Sequence, residues 1–200
     1  DGRDEQEDNR YEVDLKGLRM NFNLEVTPDA QVQLIFDPKI GDIMKARGEG
    51  NLNLSINTLG EFEIYGAMTL QSGDYLFTLH NVINKHFEIE GGTITWNGDP
   101  SDANIGINAV YALKTSVYPL APEPSEQLKK RIPVECQIKM TGKLMNPAIQ
   151  PDIVLPTADQ ETRNIVSNSI NTEEELMKQF ISLLVINNEK LREIYGDLKL

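Results

Sequence analysis

One cysteine, Cys136, stands in 200 residues, so no internal disulfide can brace the chain. The only histidines, His80 and His86, lie six positions apart, outside any cluster with metal-ligand spacing. Turn or surface histidines are the better reading, and no metal is expected. Positive charge is scarce: 19 Lys and Arg against 31 Asp and Glu leave a net charge of -12. That balance excludes nucleic acid, whose affinity comes from neutralised phosphates. It argues equally against electrostatic docking on anionic lipid. No stretch approaches the ~18 apolar residues of a membrane span, and no signal peptide opens the chain. Also missing are a GxSxG elbow, a P-loop and a GxGxxG opening a helix. No cofactor is expected, and the chain does not read as an enzyme.

What the chain does have is alternation. Gly91 to Tyr111 reads GGTITWNGDPSDANIGINAVY, an apolar pair (Ile94, Trp96), then Asn-Gly-Asp-Pro, then a long alternating run from Ala103. Asn97-Gly98 suits positive φ, and Pro100 with Asp99 or Asp102 suits a corner. Turn geometry therefore explains the two carboxylates better than acid–base chemistry does. Ile105, Ile107, Ala109, Tyr111 and Leu113 share one parity, so one face should be dry and the other wet. Trp96 could stack a sugar, but a buried strand aromatic is favoured.

The rest of the chain repeats this pattern. Met20, Phe22, Leu24 and Val26 alternate with Asn21, Asn23 and Glu25; Val32, Leu34 and Phe36 follow, then Leu52, Leu54 and Ile56. Phe62, Ile64, Met68 and Leu70 share a face with Gly66, where a bulge or bend is expected. Gln71-Ser72-Gly73-Asp74 reads as a turn, after which parity switches to Tyr75, Phe77 and Leu79. Phe87 and Ile89 run up to Gly91-Gly92. At least eight closely spaced strands without βαβ alternation predict an antiparallel sheet of sequential neighbours.

Tyr118 to Pro133 breaks the pattern with four prolines and carries Lys129-Lys130-Arg131. That basic cluster could meet lipid phosphates, though a solvated loop is the better reading. Val134, Cys136, Ile138 and Met140 form a clean strand, and Pro151 and Pro156 demote Ile149 to Leu155 to an edge. Thr172 with Glu175 is a capping box. Leu176, Phe180, Leu183 and Leu184 then make one apolar helical stripe from Glu173 to about Asn187. Its polar face lacks the basic residues of a membrane anchor, so it should dock on the sheet. At the other end, residues 1–12 are acidic and read as a solvated linker.

These blocks resemble the TamB family of outer-membrane biogenesis. GTITWNGDPSDANIGINAVY carries the resemblance, preceded by GEFEIYGAMTLQSGDYLFTL and FEIEGG and followed by IKMTGKLMNPAIQPDIVLPT and EEELMKQFISLLVIN. Roughly Lys45 to Asn187 is covered. The family runs on into further strands where this chain ends in NNEKLREIYGDLKL, so a truncation is expected there. The resemblance implies an all-β fold, an elongated antiparallel sheet curved like a taco into an open groove with an apolar interior, plus a C-terminal amphipathic helix. It implies a groove domain over 13–157 and a helical segment over 158–200. It implies a non-catalytic periplasmic component conducting phospholipid acyl chains between the membranes and aiding outer-membrane protein assembly, with a TamA-like barrel as partner and an inner-membrane anchor upstream. Ile, Leu, Val and Met dominate the inward positions, where charge looks nearly absent. The residues expected to line the groove are Leu52, Leu54, Ile56, Phe62, Ile64, Phe77, Leu79, Ile105, Ile107 and Ile138. A surface or adhesion β-sandwich with a filled core is the alternative, since both demand one dry face; a structural spacer is a third.

Overall fold

The computed structural model describes residues 17–37, 42–79, 83–121 and 126–186. Eight strands make one sheet: β1 (Arg19–Val26), β2 (Gln31–Asp37), β3 (Asp42–Asn57), β4 (Phe62–Leu79), β5 (Ile83–Gly98), β6 (Asn104–Ser116), β7 (Arg131–Lys143) and β8 (Asn146–Val154). Their order is β1-β3-β4-β5-β6-β7-β8, every pair antiparallel, with β1 at one edge and β8 at the other. Two helices follow, α1 (Gln160–Ser169) and α2 (Glu173–Ile186). The expected all-β antiparallel sheet with a C-terminal helical segment is what the chain forms, and the sheet is open. Residues 1–16, with the acidic linker, and residues 187–200, with the charged tail, lie outside the described residues, as does His80.

β1 and β2 share a partner. β1 pairs with the C-terminal half of β3 (Met20 opposite Ile56, Val26 opposite Gly50), and β2 pairs with its N-terminal half (Gln31 opposite Arg47). Together they form one long edge, interrupted at Thr27–Ala30, where the Ala30 amide donates to the Thr27 carbonyl at 2.9 Å.

Four features of the sheet differ from expectation. Gln71 to Asp74 is no turn: β4 runs unbroken through it for 18 residues. The register with β3 slips by one residue between Arg47–Ser72 and Gly48–Leu70, so Gln71 is an extra residue, a β-bulge. That bulge produces the parity switch. Nor do Gly91 and Gly92 end a strand, because β5 passes through them and slips against β6 beside Glu90. The two irregularities sit side by side, so β4 and β5 change parity together and keep register with each other. Gly66, where a bulge was expected, lies in unbroken register. Its φ is +123°, and a Cβ there would stand 2.2 Å from the Asn51 carbonyl oxygen. Glycine is needed for backbone approach, not for a bend. Likewise β7 starts at Arg131 and includes Pro133, so the irregular stretch ends two residues earlier than the prolines suggest.

One face is dry. Met44, Met68, Phe87, Ile94, Ile107 and Val134 are completely buried, and register puts all of them on the same side. Each large aliphatic enclosed this way stabilises the fold by about 1.5–3 kcal/mol. α2 covers one end of that face. Phe180, Leu183 and Leu184 are buried, and the Phe180 ring stacks on Phe87 at 6.3 Å between centroids. Thr172 accepts a bond from the Glu175 amide at 3.1 Å, the first half of the expected capping box. α1 is capped by Asp159, whose side chain accepts from the Thr162 amide at 2.7 Å.

Candidate functional site

All ten residues expected to line a groove lie on the dry face. Leu52, Leu54 and Ile56 sit in β3, with Leu54 opposite Ile64 and Ile56 opposite Phe62. Phe77 and Leu79 share the parity of Tyr75, which faces Met44. Ile105 lies opposite Ile94, Ile107 opposite Met140, and Ile138 opposite Ala109.

Their environments divide along the strands. Leu52, Ile105, Ile107 and Ile138 are buried. Phe77 and Leu79 are half-buried at the α2 end, within a ring cluster of Phe36, Tyr75, Phe87, Tyr111 and Phe180. Edge-to-face pairs such as Phe77 on Phe87 (5.8 Å, 71°) add to the area they bury. At the opposite end the face opens. Phe62 is 43% exposed, Leu54, Ile56 and Ile64 are half-buried, and beside them Met20, Phe22 and Leu24 of β1 are 42–50% exposed. The strip is continuous in register: Phe22, Leu54 and Ile64 form one cross-strand row, and Met20, Ile56 and Phe62 the next. Met20, Phe22 and Leu24 share this strip, although they were not among the residues expected to line the groove. The signal was present, since they alternate as cleanly as β3 does.

Among the residues whose burial is described, Lys85 is a charged residue at an inward position. Lys85 faces Phe77 across the ladder, its ammonium lies 5.3 Å from the Tyr111 ring centre, and it donates to the Tyr111 hydroxyl at 3.4 Å. It stands at the α2 end, away from the open strip. A separate notch of about 350 Å³ lies between the end of β8 and the helices, lined by Ile153, Val166 and Ile170 among others.

Nothing in the described residues assembles a catalytic group. Burial pushes the Cys136 thiol up to about 12, so it stays protonated and unreactive. Asp99 is held below the usual carboxylate range by the Ser101 hydroxyl and amide, at 2.6 and 2.8 Å, as a turn carboxylate should be. His86 meets Asp74 at 2.8 Å on the wet side. Trp96 is buried. Of the basic cluster, Lys129 bonds Glu126 at 2.5 Å and Arg131 donates to the Lys114 carbonyl at 2.7 Å. No group of three or more potential metal ligands occurs among the described residues. No described helix is long and apolar enough to cross a membrane.

The family model of the TamB C-terminal domain matches residues 3–197. The chain belongs to that family. A search of curated proteins finds no match. Membership of the TamB family gives the chain a place in biogenesis of the bacterial envelope and its outer membrane. The family is a non-catalytic transport and assembly module, associated with outer-membrane assembly machinery.

Proposed function

We propose that the dry face of this TamB domain carries phospholipid acyl chains through the periplasm between the inner and outer membranes, and that lipid enters or leaves at the open strip. One observation carries the reading: Met20, Phe22, Leu24 and Phe62 are large, apolar and exposed, yet they point to the inner side of the sheet. Scattered apolar residues on a surface need no explanation, but a continuous patch marks a binding surface. The buried rows at Ile107 and Ile138 supply the adjoining wall. A TamA-like outer-membrane barrel is the partner this reading supplies, with assembly of outer-membrane proteins as the accompanying role. At the waist, around Ile107 and Ile138, the face is a closed core, so acyl chains would lie along the open strip beside it.

The test is a photoactivatable phospholipid incubated with the wild-type domain, with adducts mapped by mass spectrometry. Adducts should concentrate on β1, the C-terminal half of β3 and the start of β4. A wild-type domain that forms no adduct sinks the proposal.

A further inference from the structure

Burial on the dry face changes along the strands, and it changes at one row. Three cross-strand rows make the open strip: Met20–Ile56–Phe62, Phe22–Leu54–Ile64 and Leu24–Leu52–Gly66–Trp96. The first two are exposed or half-buried throughout. In the third, Leu24 is exposed, and Gly66 leaves a half-buried recess between the buried Leu52 and Trp96. The next row, Val26–Gly50–Met68–Ile94–Ile105, runs unbroken from β1 to β6. Met68 and Ile94 in it are completely buried.

A hydrocarbon chain in the strip therefore meets one open end and one closed end. Its methyl end gains by burial, whereas a charged head group cannot be buried without partners and stays in water. The open end is the row of Phe62, because β3 ends at Asn57 and β4 begins at Phe62. The recess over Gly66 lies toward the other end, with Leu52 and Trp96 at its sides and Met68 beyond. Interiors packed at native density hold few voids larger than a water molecule, so the row of Met68 and Ile94 is a stop, not a passage.

We infer that an acyl chain in the strip lies along the strands, head group toward Phe62 and terminal methyl toward Met68, and that Met68 and Ile94 set how long a chain fits. The orientation rests on the strip being a lipid surface, as proposed above. From Phe62 to Met68 is roughly 20 Å at the rise of a strand. Extended hydrocarbon advances about 1.25 Å per carbon, from its bond length and angle, so about 16 carbons reach the stop. Up to that length each added methylene strengthens binding by about fourfold. Beyond it, further methylenes add nothing.

Trp96 is the only tryptophan in the 200 residues and stands beside the stop, which supplies a readout in the unaltered chain. Phosphatidylcholine with chains of that length, brominated near the methyl end, should quench Trp96 emission. The same lipid brominated beside the ester should not. Co-elution of lipid with protein on gel filtration reports binding separately. Bound lipid that quenches equally from both positions, more from the ester side, or from neither overturns the inference and leaves the lipid surface standing. No co-elution removes the lipid surface and the inference together. Monoacyl phosphatidylcholines below their micelle concentrations, competed against the brominated lipid, should gain affinity with chain length and then level off. In Met68→Ala, with folding checked by circular dichroism, the levelling-off should move to longer chains. A wild-type series without a plateau, or a folded Met68→Ala with the wild-type plateau, overturns the stop. Should Met68→Ala not fold, the quenching and the wild-type series decide by themselves.

Discussion

Ile107 and Phe62 point to the same side of the sheet and live in different surroundings. Ile107 is wholly buried between Gly92 and Met140, whereas Phe62 is 43% exposed opposite Ile56. A carboxylate placed at 107 has neither water nor a partner. Its burial costs several kcal/mol, comparable with the entire stability of a domain. Placed at 62, the same group keeps much of its hydration. Ile107→Asp should therefore yield unfolded or aggregated protein, and Phe62→Asp should melt within a few degrees of wild type. Thermal unfolding followed by circular dichroism separates the two. Equal losses at both sites would mean the strip is as enclosed as the waist.

At the scale of elements, α2 is held by its apolar stripe rather than by its own propensity. A helix of 14 residues is marginal alone, and this one lays Phe180, Leu183 and Leu184 against β5, β7 and β8. Phe180→Asp combined with Leu184→Asp should lower the melting temperature clearly and expose Phe87 and Tyr111. An unchanged melting temperature with altered binding to liposomes would instead make α2 a membrane element. The stripe was legible in sequence because a helical period of apolar residues has few other meanings. Strand faces were legible for the same reason in β1, β6 and β7, where one parity holds throughout. The bulges at Gln71 and Glu90 were not, because Gln-Ser-Gly-Asp has the composition of a turn and only pairing with β3 and β5 on either side makes it strand. α1 went unnoticed too: its cap at Asp159 is ordinary, and it buries only Val166. Of the site, facing could be read from parity. Exposure could not, since it depends on which strand ends up at the edge, and β1 is at the edge while β6 is not.

The whole molecule is a sheet whose support is graded from one side to the other. β5, β6 and β7 have paired neighbours on both sides and enclose Phe87, Ile94, Ile107, Val134 and Met140. Among the described residues β1 pairs on one side only, and it is exposed along seven of its eight residues. Local opening follows such differences: an edge with few buried contacts opens at a fraction of the global free energy, while central strands exchange only when everything unfolds. Amides of β5, β6 and β7 should therefore be the last to exchange in native-state hydrogen exchange. Those of β1, apart from Val26, should exchange orders of magnitude faster. Phospholipid bound at the open strip would slow exchange there without changing the central strands, because a ligand stabilises only what it must hold in place. Uniform protection across all eight strands in dilute, lipid-free protein would show that the edge is as firmly held as the centre, and would leave the open strip without the freedom that receiving a lipid requires.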